Sequence, residues 1–146
     1  MEDQNYSLPL ALDRIVAGLP HPKCPDREAI HQHLYLLMVT HFDENRFDGR
    51  YGCALWEHDF SVLSQIKWKD LIRESLEEAV GAYEPRLTSV KIRVEMEEFE
   101  VLTKTNNYVR KRVGIEIKAM IRRTNEPFVF FERIFISPLS IECPCP

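Results

Sequence analysis

Three sets of side chains in this sequence have types that could do chemistry. The first is four cysteines, Cys24, Cys53, Cys143 and Cys145, in a chain that also holds five histidines, the residue types that bind zinc. Their spacing argues against a metal site. Cys143 and Cys145 form a C-x-C in the proline-rich tail ECPCP, and Cys24 and Cys53 lack a C-x2-C partner. His31 and His33, two apart on a predicted helix, project to nearly opposite sides. The second set is the 23 Asp and Glu side chains, of which a pair about 5–9.5 Å apart could cleave a glycosidic bond. Such abundance makes chance pairs ordinary, and the plainer reading is a solvated charged surface. The third set is the hinge Glu84-Pro85-Arg86-Leu87. A connection this short usually uses Gly, Asn, Asp or Ser, so a charged hinge suggests that its side chains are wanted.

In an extended segment Glu84 and Arg86 project to the same side while Pro85 stiffens the backbone between them, giving a rigid fork with both signs of charge. The plain alternative is a surface pair worth about 0–1 kcal/mol, or Arg86 capping helix carbonyls. No glycine-rich phosphate loop, G-x-S-x-G elbow or nucleophilic-cysteine motif is present, so nucleotide binding and nucleophilic catalysis are unsupported. The expectation is no catalytic, cofactor-binding or metal-binding residue.

The elements that hold the hinge are legible on both sides of it. A short apolar segment, Leu8 to Leu19, precedes the turn-rich PHPKCPD. From Asp26, read as an N-cap, Ile30, Leu34, Leu37, Met38 and His41 recur at helical spacing. The stretch DENRFDGRYGCALWEHDF reads as an ordered loop packed by Tyr51, Leu55, Trp56 and Phe60. Trp68, Leu71, Ile72, Leu76, Ala79, Val80 and Tyr83 then form the apolar stripe of a second helix. Pro85 ends it at about Tyr83. Beyond the hinge the period falls from 3.6 to 2: Val90, Ile92, Val94 and Met96 alternate with charges over Ser89–Glu97. Alternation returns at Val113, Ile115, Ile117, Ala119 and Ile121, and RRTNEP turns the chain into FVFFERIFI, apolar on both faces. These elements predict an α+β fold, N-terminal helices packed on a three-stranded antiparallel β-meander. The whole chain, 1–146, reads as a single domain with an N-terminal extension at 1–25 and a C-terminal tail at 139–146.

A chain of 146 residues, 45% hydrophobic and 29% charged, can bury the core of one domain. Its formal net charge of −4 argues against general affinity for nucleic acid or anionic membrane. The basic run Val109-Arg110-Lys111-Arg112 reads as a solvated loop entering a strand. The N-terminus has acidic residues where a signal peptide is basic, and no stretch approaches the roughly 20 apolar residues of a membrane span. A cytoplasmic protein with reduced cysteines is expected.

The block from Ile72 to Ile136 resembles the small baseplate-wedge family of contractile phage tails and bacterial type VI secretion systems, whose secretion members are called TssE. The matching pattern is LIRESLEEAVGAYEPRL, then SVKIRVEM, a basic turn, RVGIEIKAMIRRT and a final apolar strand. Glu84-Pro85-Arg86 coincides with the family's E-P-R signature. Upstream, HLYLLMVTHF and RYGCALWEHDF resemble its apolar helix and Tyr/Phe-Gly loop, but the usual Thr-Arg-x-Gly is missing. The resemblance implies a structural, non-enzymatic wedge component. Its implied partners are the larger wedge subunits (TssF/TssG-like) and the sheath and tube proteins, with Glu84, Pro85 and Arg86 as partner-binding residues. It also implies a sheet edge offered to the sheath, without saying which edge. The family has carried a lysozyme label as well, so a peptidoglycan-degrading glycoside hydrolase of a phage tail is the alternative.

Overall fold

The computed structural model describes residues 5–57, 65–102, 104, 107–136 and 139–141. Phe60, Cys143 and Cys145 therefore lie outside the described residues. Strands β1 (Asn5–Tyr6) and β2 (Lys23–Cys24) form a small antiparallel sheet around helix α1 (Leu12–Val16). Helix α2 (Asp26–Val39), a 3-10 turn at Ala54–Trp56 and helix α3 (Gln65–Tyr83) follow. The chain then runs through β3 (Leu87–Leu102), β4 (Asn107–Ile121) and β5 (Glu126–Ile136) in an antiparallel meander, to which β6 (Leu139–Ile141) adds a short fourth strand.

Period and parity explain the layers. Even-numbered Ile92 and Val94 on β3 pair with Ile117 and Ile115 on β4, which pair with Phe130 and Glu132 on β5. All of these apolar residues are buried, and they share one core with Ile30, Leu34 and Leu37 of α2 and Trp68, Ile72 and Leu76 of α3. The helices cover this single face of the sheet. On the opposite face the rows read Arg93–Glu116–Phe131, Glu95–Gly114–Arg133 and Glu97–Arg112–Phe135.

The expected α+β architecture is thus present, with local differences, among them β6, which pairs with β5 where a tail was expected from residue 139. Leu71, assigned to the apolar stripe, is exposed, since it lies at the stripe's margin. Asp26 begins α2 as its first helical residue after Pro25, and its carboxylate binds Asn5 and Arg123 rather than the helix N-terminus. β3 runs to Leu102, past the Glu97 expected from alternation. Pairing through Leu102↔Asn107 extends it, where Glu98 and Glu100 break the apolar pattern of the inner face. For the same reason Arg110–Arg112 belong to β4 and not to a loop.

Candidate functional site

The hinge is built by what stops α3. Glu84 N–H gives the last helical hydrogen bond, to Val80 O at 2.9 Å, and Leu87 N–H bonds back to Glu84 O at 3.3 Å. Residues 84–87 therefore close a β-turn with Pro85 at its second position, where the fixed φ of proline fits. This replaces the extended fork expected from the sequence. Glu84 turns inward and is 2% exposed, the one buried charged residue among the described residues. Pro85 is exposed and Arg86 is half-buried.

Four donors saturate the Glu84 carboxylate. Arg86 grips it in bidentate fashion, Nε to Oε1 at 2.7 Å and Nη2 to Oε2 at 2.8 Å, and the Arg86 backbone N–H reaches Oε1 at 3.3 Å. His33 of α2 donates Nδ1–H to Oε2 at 2.8 Å. Burial by itself would push the Glu84 carboxyl up. The hydrogen bonds and charges of Arg86 and His33 overcome it and hold the group down at about 2. The same pairing, led by the hydrogen bond that Arg86 donates to Glu84, raises the Arg86 guanidinium. A carboxylate so held stays ionised and has no free face, the reverse of a general acid, which needs a raised pKa and access to substrate.

Around this pair the fold gathers groups that the sequence does not mark. Asn5 of β1 donates to Asp26 at 2.8 Å, and its side-chain oxygen receives Arg86 Nη1 at 3.4 Å. Arg123 reaches Asp26 at 2.7 Å, and Arg122 donates to Pro85 O at 3.1 Å. His33 and His31 part company as their spacing on α2 implies, His33 meeting Glu84 while the His31 ring centroid lies 4.9 Å from that of Phe130. Contacts that join residues 51 or 81 positions apart leave no local signal.

The loop after α2 buttresses the same region. Tyr51 stacks on His33 and meets Tyr83 edge-on at 5.1 Å, and Tyr83 Oη donates to Asp48 at 2.6 Å. Gly52 closes the loop at φ +134°, where a Cβ would stand 2.5 Å from Thr40 O. As expected, Tyr51, Leu55 and Trp56 pack against the core. Between loop and α3 lies a groove of about 690 Å³ whose lining includes Phe42, Asp48, Ala79, Ala82 and Tyr83. Its Asp48 is pulled down, first by the Tyr83 hydroxyl. The carboxyl that burial raises, Glu132, is not among its walls. Cys24 and Cys53 are buried thiols, and burial pushes Cys53 up to about 11, which makes it unreactive. Among the described residues no three His, Cys, Asp or Glu are grouped to hold a metal ion, and no helix is long and apolar enough to cross a membrane.

No curated protein matches the chain. A solved Geobacter sulfurreducens structure with the provisional name tail lysozyme is similar at a TM-score of 0.57 and 18% identity, covering 86% of this chain and 100% of that one. At that identity the likeness is one of fold. The baseplate wedge protein gp25 family matches residues 25–126, a span that holds α2, α3, the hinge and the β3–β4 hairpin. By that match, the chain belongs to the baseplate wedge protein gp25 family.

Proposed function

We propose that this protein is a non-enzymatic structural subunit of the baseplate wedge of a type VI secretion system, working in the cytoplasm. Glu84, Pro85 and Arg86 bind the larger wedge subunits, and the sheet nucleates the sheath around the tube. The observation that carries the reading is the bidentate Arg86–Glu84 pair at a proline turn. Glu84 works from inside by fixing the guanidinium, while Pro85 and the open side of Arg86 face outward. Replacing a buried ion pair by apolar groups of similar size is often neutral for stability, so such a pair is weak evidence of a stabilising role. A recognition role accounts for it better.

Sheath contact belongs to the edge of β3. β6 has three residues and β3 has sixteen, so β3 offers far more unpaired backbone for strand addition. Ser89 at φ 52° and the register shift between Thr88 and Lys91 mark an irregularity at the hinge end of that edge. Beyond it the strand pairs regularly up to Leu102.

The test is co-purification with the large wedge subunits. The double variant Glu84→Gln/Arg86→Met keeps an acceptor for His33 and removes the charges. It should melt close to wild type and fail to bring the partners down. Recovery of the partners at wild-type yield by the folded double variant would overturn the reading. The purified protein should also leave a peptidoglycan suspension turbid from about pH 4 to 9, a range that brackets carboxylate acid–base chemistry. Clearing that vanishes on Glu132→Gln would favour the hydrolase instead.

A further inference from the structure

The outer face of the sheet carries side chains that neither the hinge nor the β3 edge uses. Val129 and Phe131, sent outward by β5, are 54% and 48% exposed. On the same face the Phe99 and Phe135 rings lie 5.9 Å apart. Arginines lie over these rings: Arg133 over Phe131 at 5.1 Å, Arg112 over Phe99 at 5.2 Å and Arg110 over Phe135 at 5.7 Å. A guanidinium laid on a ring is pre-organised, with its N–H edge turned to the side to meet a planar carboxylate.

Arg133 is the best placed of the three. Its row is Glu95–Gly114–Arg133, so no side chain stands between it and Glu95, and Glu95 is engaged by Arg93 at 2.6 Å. Phe131 leans across the gap, 3.5 Å from where a Gly114 Cβ would be. Charge agrees with this geometry. The outer rows from Lys91 to Phe99 bear six Lys or Arg against three Glu, in a chain whose net charge is −4. Glu97 and Glu116 are taken up by Arg112 at 2.6 Å and Lys118 at 3.3 Å. The face is therefore locally cationic and apolar, with its own carboxylates already engaged.

We propose that this outer face of β3–β5 docks an acidic, apolar-bearing segment of a partner protein, a carboxylate meeting Arg133 while an aliphatic or aromatic side chain covers Phe131 and Val129. Charge complementarity selects the occupant. Aromatics interleaved with arginine also suit stacked nucleic-acid bases, but a chain of net charge −4 opposes the dense charge of a phosphate backbone. The inference stands apart from the wedge reading, since it uses neither the hinge nor a sheet edge.

The test is fluorescence anisotropy with the full chain and three probes: a short labelled peptide alternating Glu with Leu and Trp, its Lys counterpart, and a short oligothymidylate. The acidic peptide should bind and the other two should not. Arg133→Gln, and separately Val129→Glu at an exposed position outside the core, should each weaken binding by roughly tenfold with folding intact by circular dichroism. Absence of acidic-peptide binding, equal binding of the basic peptide, preference for the oligothymidylate, or wild-type affinity in both folded variants would each overturn the proposal.

Discussion

Two arginine-centred regions of this protein use the same side chain in opposite ways. At the hinge, Arg86 is held by an internal carboxylate that is itself buried and joined to α2 through His33. On the outer sheet face, Arg133 lies on the ring of an exposed phenylalanine, with the nearest carboxylate of its row engaged elsewhere. The first arrangement spends charge inside the fold, where desolvation makes an unpaired group costly. The second lays a half-buried charge on the outer sheet face, where its head is only partly desolvated and losing it costs the monomer less. A buried partner therefore marks an arginine whose position matters to the fold, while an aromatic bed marks one that the monomer can lose at smaller cost.

The largest expected effect tests the first half of that contrast. Arg86→Ala leaves the buried Glu84 carboxylate with only His33 and one backbone N–H opposite it, and should lower stability by about 3–5 kcal/mol in a denaturant titration. A loss below about 1 kcal/mol would return the pair to the class of surface decoration. The acid limb comes next. Glu84 is held at about 2 against an ordinary 4.5, so its contribution is complete above pH 4.5 and is lost as pH falls through 2. Wild type should exceed Glu84→Gln by on the order of 3 kcal/mol at neutral pH, and the gap should close across that window. A gap that stays constant down to pH 2 would show that ionisation is not what Glu84 contributes. His33→Ala removes one charge-assisted hydrogen bond and should cost about 1.5–3 kcal/mol, measured as the same unfolding free energy. The smallest effect lies on the sheet face. Glu97→Gln breaks the half-exposed Arg112 pair and should change stability by about 0–1 kcal/mol. A loss as large as that of His33→Ala would erase the distinction between the two regions.

Much of this was written locally in the chain. Pro85 has no donor and restricts Glu84, so α3 stops where the sequence stops it, at Tyr83. The change of period from 3.6 to 2 placed helix before sheet, and Asn125, in the turn RRTNEP, supplies the left-handed φ of 55° that closes β4 onto β5. Alternation named Val90, Ile92, Val94 and Met96 as one face, and the core lies on that face. Alternation lapses at Glu98 to Glu100, where only pairing carries the strand on to Leu102.

The sequence by itself determined the elements, their order, the hinge between them and the family motif that the hinge carries, because these rest on interactions within a few residues: steric limits at proline, side-chain period, turn conformers. It could not say which way Glu84 points, since an i, i+2 pair around proline suits an exposed fork and a buried clasp equally well. The choice was made by His33, which packing brings against the turn from 51 residues away. Nor could it choose the inner face of FVFFERIFI, which is apolar on both. That choice fell to the register with β4, which sets Phe130 beside Ile117 under the helices and Phe131 beside Glu116 on the outer face. Charge burial and strand register depend on partners distant in the chain, so only the tertiary structure decides them.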